Sequence, residues 1–207
     1  VSVNAQVLKF DAPYAAGSVP SSFSNEGLVL TLTDTGNKMS VDANSQYFGT
    51  ADSYVQFGHR LKSGGKTTSK LALTLTLPSD GTLKVYARSS SSTANRIVTF
   101  SQNGANLLEQ TISDGAAVKV TMEGDNGPET KSVFPIYSFD VKKGEVNITC
   151  DGGTNFYGFE LATSTGITNI SSETSAKSGA IYNLAGQQVS KDYKGVVIQN
   201  GKKFVNK

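Results

Sequence analysis

The feature that most constrains this chain is a period of two. In "LALTLTL" (71–77), Leu71, Leu73, Leu75 and Leu77 fall on one side and Ala72, Thr74 and Thr76 on the other. That spacing belongs to a strand with one apolar face. The same alternation runs through "GLVLTLTD" (27–34), "YVQFGHRL" (54–61), "TLKVYARS" (82–89), "RIVTFSQ" (96–102) and "AAVKVTM" (116–122). It continues through "SVFPIYSFDV" (132–141), "EVNITC" (145–150) and "NFYGFELA" (155–162). Between these runs stand "PSDG", "QNG", "GDNG", "KKG" and "DGG", the residue combinations that turn a chain tightly. About nine strands at near-regular spacing, with no helical crossover, predict an all-β fold: an antiparallel β-sandwich or jelly roll over residues 1–162.

Composition agrees and removes several functions. Charged residues are only 17% of the chain, and long helices need more of such strong helix formers on their surfaces. A net charge of +2 without a dense Lys/Arg cluster argues against nucleic acid as a partner. No apolar run approaches the roughly 20 residues that span a bilayer, so no membrane span is expected. Val1 opens directly in polar, strand-like sequence with no leader pattern, as in a cytosolic protein or a mature secreted one. Cys150 is the sole cysteine, so an internal disulfide or cysteine metal cluster is excluded. It alternates with Val146 and Ile148 and is expected in the core.

Beyond Ala162 the composition shifts. "TSTGITNISSETSAKSG" (163–179) is polar and Ser/Thr-rich and reads as a linker. Residues 180–207 then hold three short strand patterns, at 180–183, 195–199 and 203–205, with Asn200–Gly201 as a hairpin turn. A piece this short cannot bury a stable core alone. It must dock on a partner, fold with further sequence, or serve as a processing signal.

This segment carries Tyr182, Asn183, Gly186, Val189, Lys194, Gly195, Val197, Ile198, Asn200, Gly201, Lys202, Lys203 and Lys207. In that pattern it resembles the C-terminal segment of proteins exported by gut and oral anaerobes of the Bacteroidetes group. The resemblance implies secretion to the cell surface or beyond. The larger part carries Phe48-Gly49, Arg60-Leu61-Lys62 followed by Gly64-Gly65, the "YARSSSSTANR" run from Tyr86 to Arg96, and the closing "NFYGFEL" (155–161). It resembles a non-catalytic β-sandwich region found beside pectate-lyase and other plant-polysaccharide-degrading domains in the same bacteria. That likeness implies carbohydrate binding, as one module of a larger secreted multi-modular enzyme.

The residues themselves offer little catalytic machinery. A Ser-His-Asp arrangement needs a placed imidazole. The only histidine, His59, shares its strand face with Val55, Phe57 and Leu61 and reads as a packed residue at the core edge. One His and one Cys are too few for a zinc site. Glycoside hydrolysis needs two carboxylates across one cleft. Most acids here fall in turns (Asp80, Asp114, Glu123, Asp125, Glu129, Asp151), and only Asp140 and Glu160 sit inside strand patterns. Lyase chemistry would draw on Arg60, Lys62 or Arg88, yet no acid cluster stands by to hold a metal. A structural calcium held largely by backbone carbonyls leaves almost no motif; "EGDNGPE" (123–129) is an oxygen-rich turn that such an ion would suit. No other cofactor is expected.

Binding fits better. Carbohydrate is recognised by aromatic faces and by polar forks reaching hydroxyls or carboxylates. With no Trp in the chain, Tyr must supply the ring. Tyr86 alternates with Lys84 and Arg88 away from the core side of its strand, as do Arg60 and Lys62 on theirs, with Lys66 and Arg96 expected at the rim. Arg60, Lys62, Lys84, Tyr86, Arg88 and Arg96 are therefore the candidate ligand-binding residues. Arginine grips carboxylates bidentately, which suits an acidic, pectin-like polysaccharide. "HRLKSGGKTTSK" (59–70) is expected as a strand end, a flexible hairpin tip at Ser63–Thr68 and a strand start. The expected function is non-catalytic binding of plant cell-wall polysaccharide. The alternatives are a surface adhesion or structural sandwich that meets a protein partner, and a glycoside hydrolase or polysaccharide lyase.

Overall fold

The computed structural model describes residues 3–164, 181–183, 187–190, 192–199 and 202–206. Its contacts divide the chain into two units, Val1–Ser164 and Thr165–Lys207. The first unit begins with β1 (Val3–Lys9), β2 (Ser22–Asn25), β3 (Leu28–Asp34), β4 (Ser40–Gly49), β5 (Tyr54–Lys62), β6 (Leu71–Leu77) and β7 (Gly81–Ser89). It continues with β8 (Arg96–Gln102), β9 (Ala105–Ile112), a single 3₁₀ turn (Asp114–Ala116), β10 (Val118–Gly124), β11 (Gly127–Phe134), β12 (Tyr137–Val141), β13 (Gly144–Cys150) and β14 (Thr154–Ser164). No α-helix occurs among the described residues, and none of their helices is long and apolar enough to cross a membrane.

The strands form a β-sandwich. One sheet runs β10-β11-β4-β5-β14-β7-β12, and the other runs β2-β3-β6-β13-β8-β9. One edge of β14 is shared in succession: Asn155 and Phe156 pair with β5, and residues from Gly158 onward pair with β1. Between the sheets lies the aliphatic core that the alternation predicts. Leu28, Leu30 and Leu32 of β3, Leu71 to Leu77 at every second position of β6, and Val146, Ile148 and Cys150 of β13 face Leu83, Val85 and Ala87 of β7 and Phe156, Phe159 and Leu161 of β14. Each fully buried leucine contributes about 2 kcal/mol by leaving water. Burial also pushes the Cys150 thiol up to about 11, so it stays protonated and inert.

Strand count is where alternation falls short. β1, β2, β4 and β9 escape it, because β2 and β4 are largely polar and give no clean pattern. The run 132–141 divides at Pro135-Ile136 into β11 and β12, since proline has no amide hydrogen to continue a ladder. The turns also divide into two kinds. "QNG" closes a hairpin between β8 and β9, with Asn103 at φ 51 and Gly104 at φ 77, and "GDNG" closes one between β10 and β11. "PSDG", "KKG" and "DGG" carry the chain from one sheet to the other.

A second cluster lies on the outer side of the larger sheet. It joins Phe48 of β4, Phe57 of β5, Tyr86 of β7, Phe134 of β11 and Tyr157 of β14, with Val7, Ala117 and Ile136 at its margins. Phe48 meets Phe57 and Tyr86 nearly edge-on, at ring separations of 5.9 and 5.7 Å. Gly158 makes room for this layer, since a Cβ there would come within 2.7 Å of the Phe57 ring. Phe57 and Leu61 have the same parity on β5 but enter different clusters. Register irregularities at Ala43/Gln46 on β4 and Phe156/Gly158 on β14 flank β5 and change the local twist.

The second unit carries β15 (Ile181–Asn183), β16 (Gln188–Val189), β17 (Gly195–Gln199) and β18 (Lys202–Asn206), an antiparallel sheet ordered β16-β15-β17-β18. Ile181 and Val197 are its buried apolar residues among those described. The stretch read as a linker, 163–179, lies outside the described residues except for Thr163 and Ser164, which extend β14. The Asn200–Gly201 turn also lies outside them.

Candidate functional site

The candidate cations of β5 and β7 lie on the outer side of the larger sheet, and each is held by a carboxylate. Arg60 stands opposite Asp42 in the β4–β5 ladder and donates from Nε to Oδ1 at 2.8 Å and from Nη2 to Oδ2 at 3.2 Å. Lys62 Nζ reaches the same Oδ2 at 3.2 Å. The Arg60 hydrogen bond, with help from Lys62, holds the Asp42 carboxyl below its usual range despite partial desolvation. Lys84 Nζ approaches Glu160 Oε1 at 3.5 Å. Arg88 donates to Asp114 from Nη2 at 2.7 Å and from Nε at 3.4 Å, and its guanidinium lies 4.1 Å above the Phe134 ring.

Two of the expected residues do not join an exposed face. Tyr86 is 2% exposed and packed in the aromatic cluster; its hydroxyl donates to Glu160 Oε2 at 2.5 Å. Burial, reinforced by Glu160, pushes that hydroxyl's pKa upward. The parity of Tyr86 is as expected, but its exposure is not, because Phe57 of β5 and Phe48 of β4 pack on its ring at centroid separations of 4.6 and 5.7 Å. Tyr86 therefore cannot be a sugar platform. Arg96 belongs to β8 of the smaller sheet, where its side chain lies against Gly152.

The stretch 59–70 also differs from expectation. β5 and β6 lie in different sheets, so it is a crossover and not a hairpin. Nor is it loose. Ser63 is buried; its amide donates to Thr154 O at 2.9 Å, and its hydroxyl accepts from Thr154 N at 2.9 Å. Thr67 N donates to Cys150 O at 2.9 Å. Gly64 sits at φ +78, and a Cβ there would come within 2.7 Å of the Lys38 carbonyl oxygen, so glycine is required by both conformation and space. His59 is half-buried opposite Ala43 and lines neither of the two larger clefts.

Those clefts adjoin on the larger sheet. The first, a groove of about 550 Å³, is lined by Ser45, Gln46, Tyr47, Gln56, Arg88, Thr130, Lys131, Ser132 and Phe134. The side chains of Ser45, Gln46, Gln56 and Thr130 make no hydrogen bond to any described residue. Tyr47 packs edge-on against the exposed Tyr54, with ring centroids 5.8 Å apart. The second cleft, about 460 Å³, is lined by Lys38, Arg60, Lys62, Ser63, Gly64, Gly65, Ser90, Gly153, Thr154 and Asn155. Asn155 pairs with Arg88 on one side and Lys62 on the other, linking the two clefts across β7, β14 and β5. The Tyr157 hydroxyl lies on the same line, donating to Asn44 Oδ1 at 2.6 Å with Arg60 and Arg88 close by.

Sequence reasoning passed over Gln46 and Tyr47 because β4 shows only Val41 and Phe48 buried among polar neighbours, and Gln56 carried no signal beyond the polar side of β5. Neither large cleft is lined by a carboxylate. Among the described residues, no group of three or more His, Cys, Asp or Glu is arranged to hold a metal ion. In the 123–129 turn, Glu129 is paired with Lys131.

No family model matches this chain, and no curated protein matches it. Among solved structures, one similar chain comes from work on the Ruminococcus flavefaciens cellulosome and its expansion in glycan recognition. It shares 17% identity at a TM-score of 0.37, covering 77% of this chain and 94% of that chain. At that TM-score the likeness fixes neither fold nor site.

Proposed function

We propose that the sandwich is a non-catalytic carbohydrate-binding module of a secreted protein, and that it binds plant cell-wall polysaccharide along the Tyr47 groove of its larger sheet. One observation carries this reading: Ser45, Gln46, Gln56 and Thr130 present unused amides and hydroxyls beside a tyrosine ring and the Arg88 guanidinium. Open donors and acceptors beside an aromatic surface match the alternating hydroxyls and apolar faces of sugar rings. Hydrolysis would need two carboxylates about 5–10 Å apart across a cleft. Here Asp42, Asp114 and Glu160 are each taken up by a cation, which favours binding without cleavage. The C-terminal resemblance to export segments supports a role outside the cell.

A protein-binding surface module is the second reading, favoured by exposed Tyr54 and Val55 on β5 and Val118 on β10. Affinity electrophoresis against polygalacturonate, xylan and β-glucan tests the first. The wild type is expected to be retarded by at least one of them, and the Tyr47→Ala/Gln56→Ala variant to bind about tenfold more weakly, the loss of one good stacking and hydrogen-bonding contact. Free migration in every gel would remove the glycan reading.

A further inference from the structure

The second cleft is built differently from the groove. Three cations, Lys38, Arg60 and Lys62, meet there; among the described residues Asp42 is the only carboxylate bonded to their side chains, while Asp34 Oδ1 accepts from the Lys38 main-chain amide at 2.9 Å. The Lys38 ammonium has no ion-pair partner among the described residues. Asp42 takes two of Arg60's five N–H donors, and the Tyr157 hydroxyl lies against the same guanidinium. The main chain adds to this. Gly64 and Gly65 have φ +78 and +147, and the amides of Gly64, Gly65 and Lys66 donate to no acceptor among the described residues. Successive free amides beside cations form a concavity suited to an anion. The Ser63–Thr154 hydrogen bonds fix that loop before any ligand arrives, so little ordering cost falls on binding.

We infer that this cleft takes the acid group of an anionic glycan, so that a chain lying in the Tyr47 groove passes a charged unit to Lys38, Lys62 and the Gly64 and Gly65 amides. This rests on the glycan reading of the groove. Continuity between the two clefts is supplied by Asn155, opposite Arg88 of the groove and Lys62 of the cleft. The two cations are two strand spacings apart, about 10 Å, within reach of a short run of sugar rings. A uronate carboxylate and a sulfate ester share this chemistry. Asp42 keeps Arg60 oriented at the cleft's edge.

The test uses the full chain and compares polygalacturonate with its fully methyl-esterified form, and dextran sulfate with dextran. For a carboxylate subsite, the acid form binds about tenfold tighter than the ester at low salt, and the difference shrinks as salt screens the exposed cations. If the acid is instead a sulfate, that preference appears for dextran sulfate over dextran. In the Lys38→Gln/Lys62→Gln variant the preference is expected to vanish while binding of the ester is unchanged. A Lys142→Gln/Lys143→Gln variant removes equal charge elsewhere and is expected to keep the preference. Equal binding of charged and uncharged forms by the wild type overturns the inference and leaves the groove reading standing. So does a preference that survives in Lys38→Gln/Lys62→Gln, or one lost equally in Lys142→Gln/Lys143→Gln. Failure of every glycan to bind overturns both.

Discussion

β6 and β7 are consecutive in the chain, alternate with the same period and send Leu71–Leu77 and Leu83–Ala87 into the same core from opposite sheets. Their other faces have different fates. On β6, Ala72, Thr74 and Thr76 remain half-exposed. On β7, Tyr86 is sealed under aromatic neighbours, and Lys84 and Arg88 are tied to Glu160 and Asp114. Alternation says which side chains share a face; it does not say whether water reaches that face. Cover is set by segments distant in sequence: Phe48 of β4 and Phe57 of β5 lie on Tyr86, and Asp114 and Phe134 meet Arg88. Once covered, the face of β7 became a second core. Its polar tips had to find partners, because a buried hydroxyl or charge without one costs more than the bond returns.

The sharpest way to break this comparison is to delete a ring on the covered face. Phe48 touches Phe57, Tyr86, Phe134 and Tyr157, so Phe48→Ala is expected to cost about 3–5 kcal/mol in urea unfolding, as Phe100→Ala should in the inner core. A cost under about 1 kcal/mol would mean the outer cluster is not a core. Next in size is Tyr86→Phe, which keeps the ring and removes one donor from the part-buried Glu160. Unfolding should show a loss of about 1–3 kcal/mol with glycan retention unchanged. Altered retention with unchanged stability would return Tyr86 to the surface. Smallest is Thr76→Val on the half-exposed face of β6, where the midpoint should move by no more than about 0.5 kcal/mol. A larger shift would indicate that this face, too, is covered.

Much of the site's charge was legible. Parity put Arg60 and Lys62 on the non-core side of one strand and Lys84 and Arg88 on that of another; only the pairing of both strands with β14 puts them in one sheet. Their pairing was not legible, because Asp42 and Asp114 come from a weakly patterned strand and from a turn. Arg96 was expected at the rim of that face, yet the crossing from β7 to β8 puts it on the other sheet. The Tyr47 groove was hidden for a related reason. β4 meets β11 through a two-residue parallel contact, Val133↔Tyr47 and Phe134↔Phe48, and no local pattern announces a pairing between strands so far apart in the chain.

By itself, then, the sequence determined the all-β class, the aliphatic face of each well-patterned strand and the burial of Cys150. Each follows from the residues present and from a two-residue repeat that any strand must obey. Tertiary structure alone decided which turns stay within a sheet and which cross, which outer face is covered, and which cations remain open to a ligand. Those outcomes depend on contacts between segments distant along the chain, whose energies no local pattern encodes.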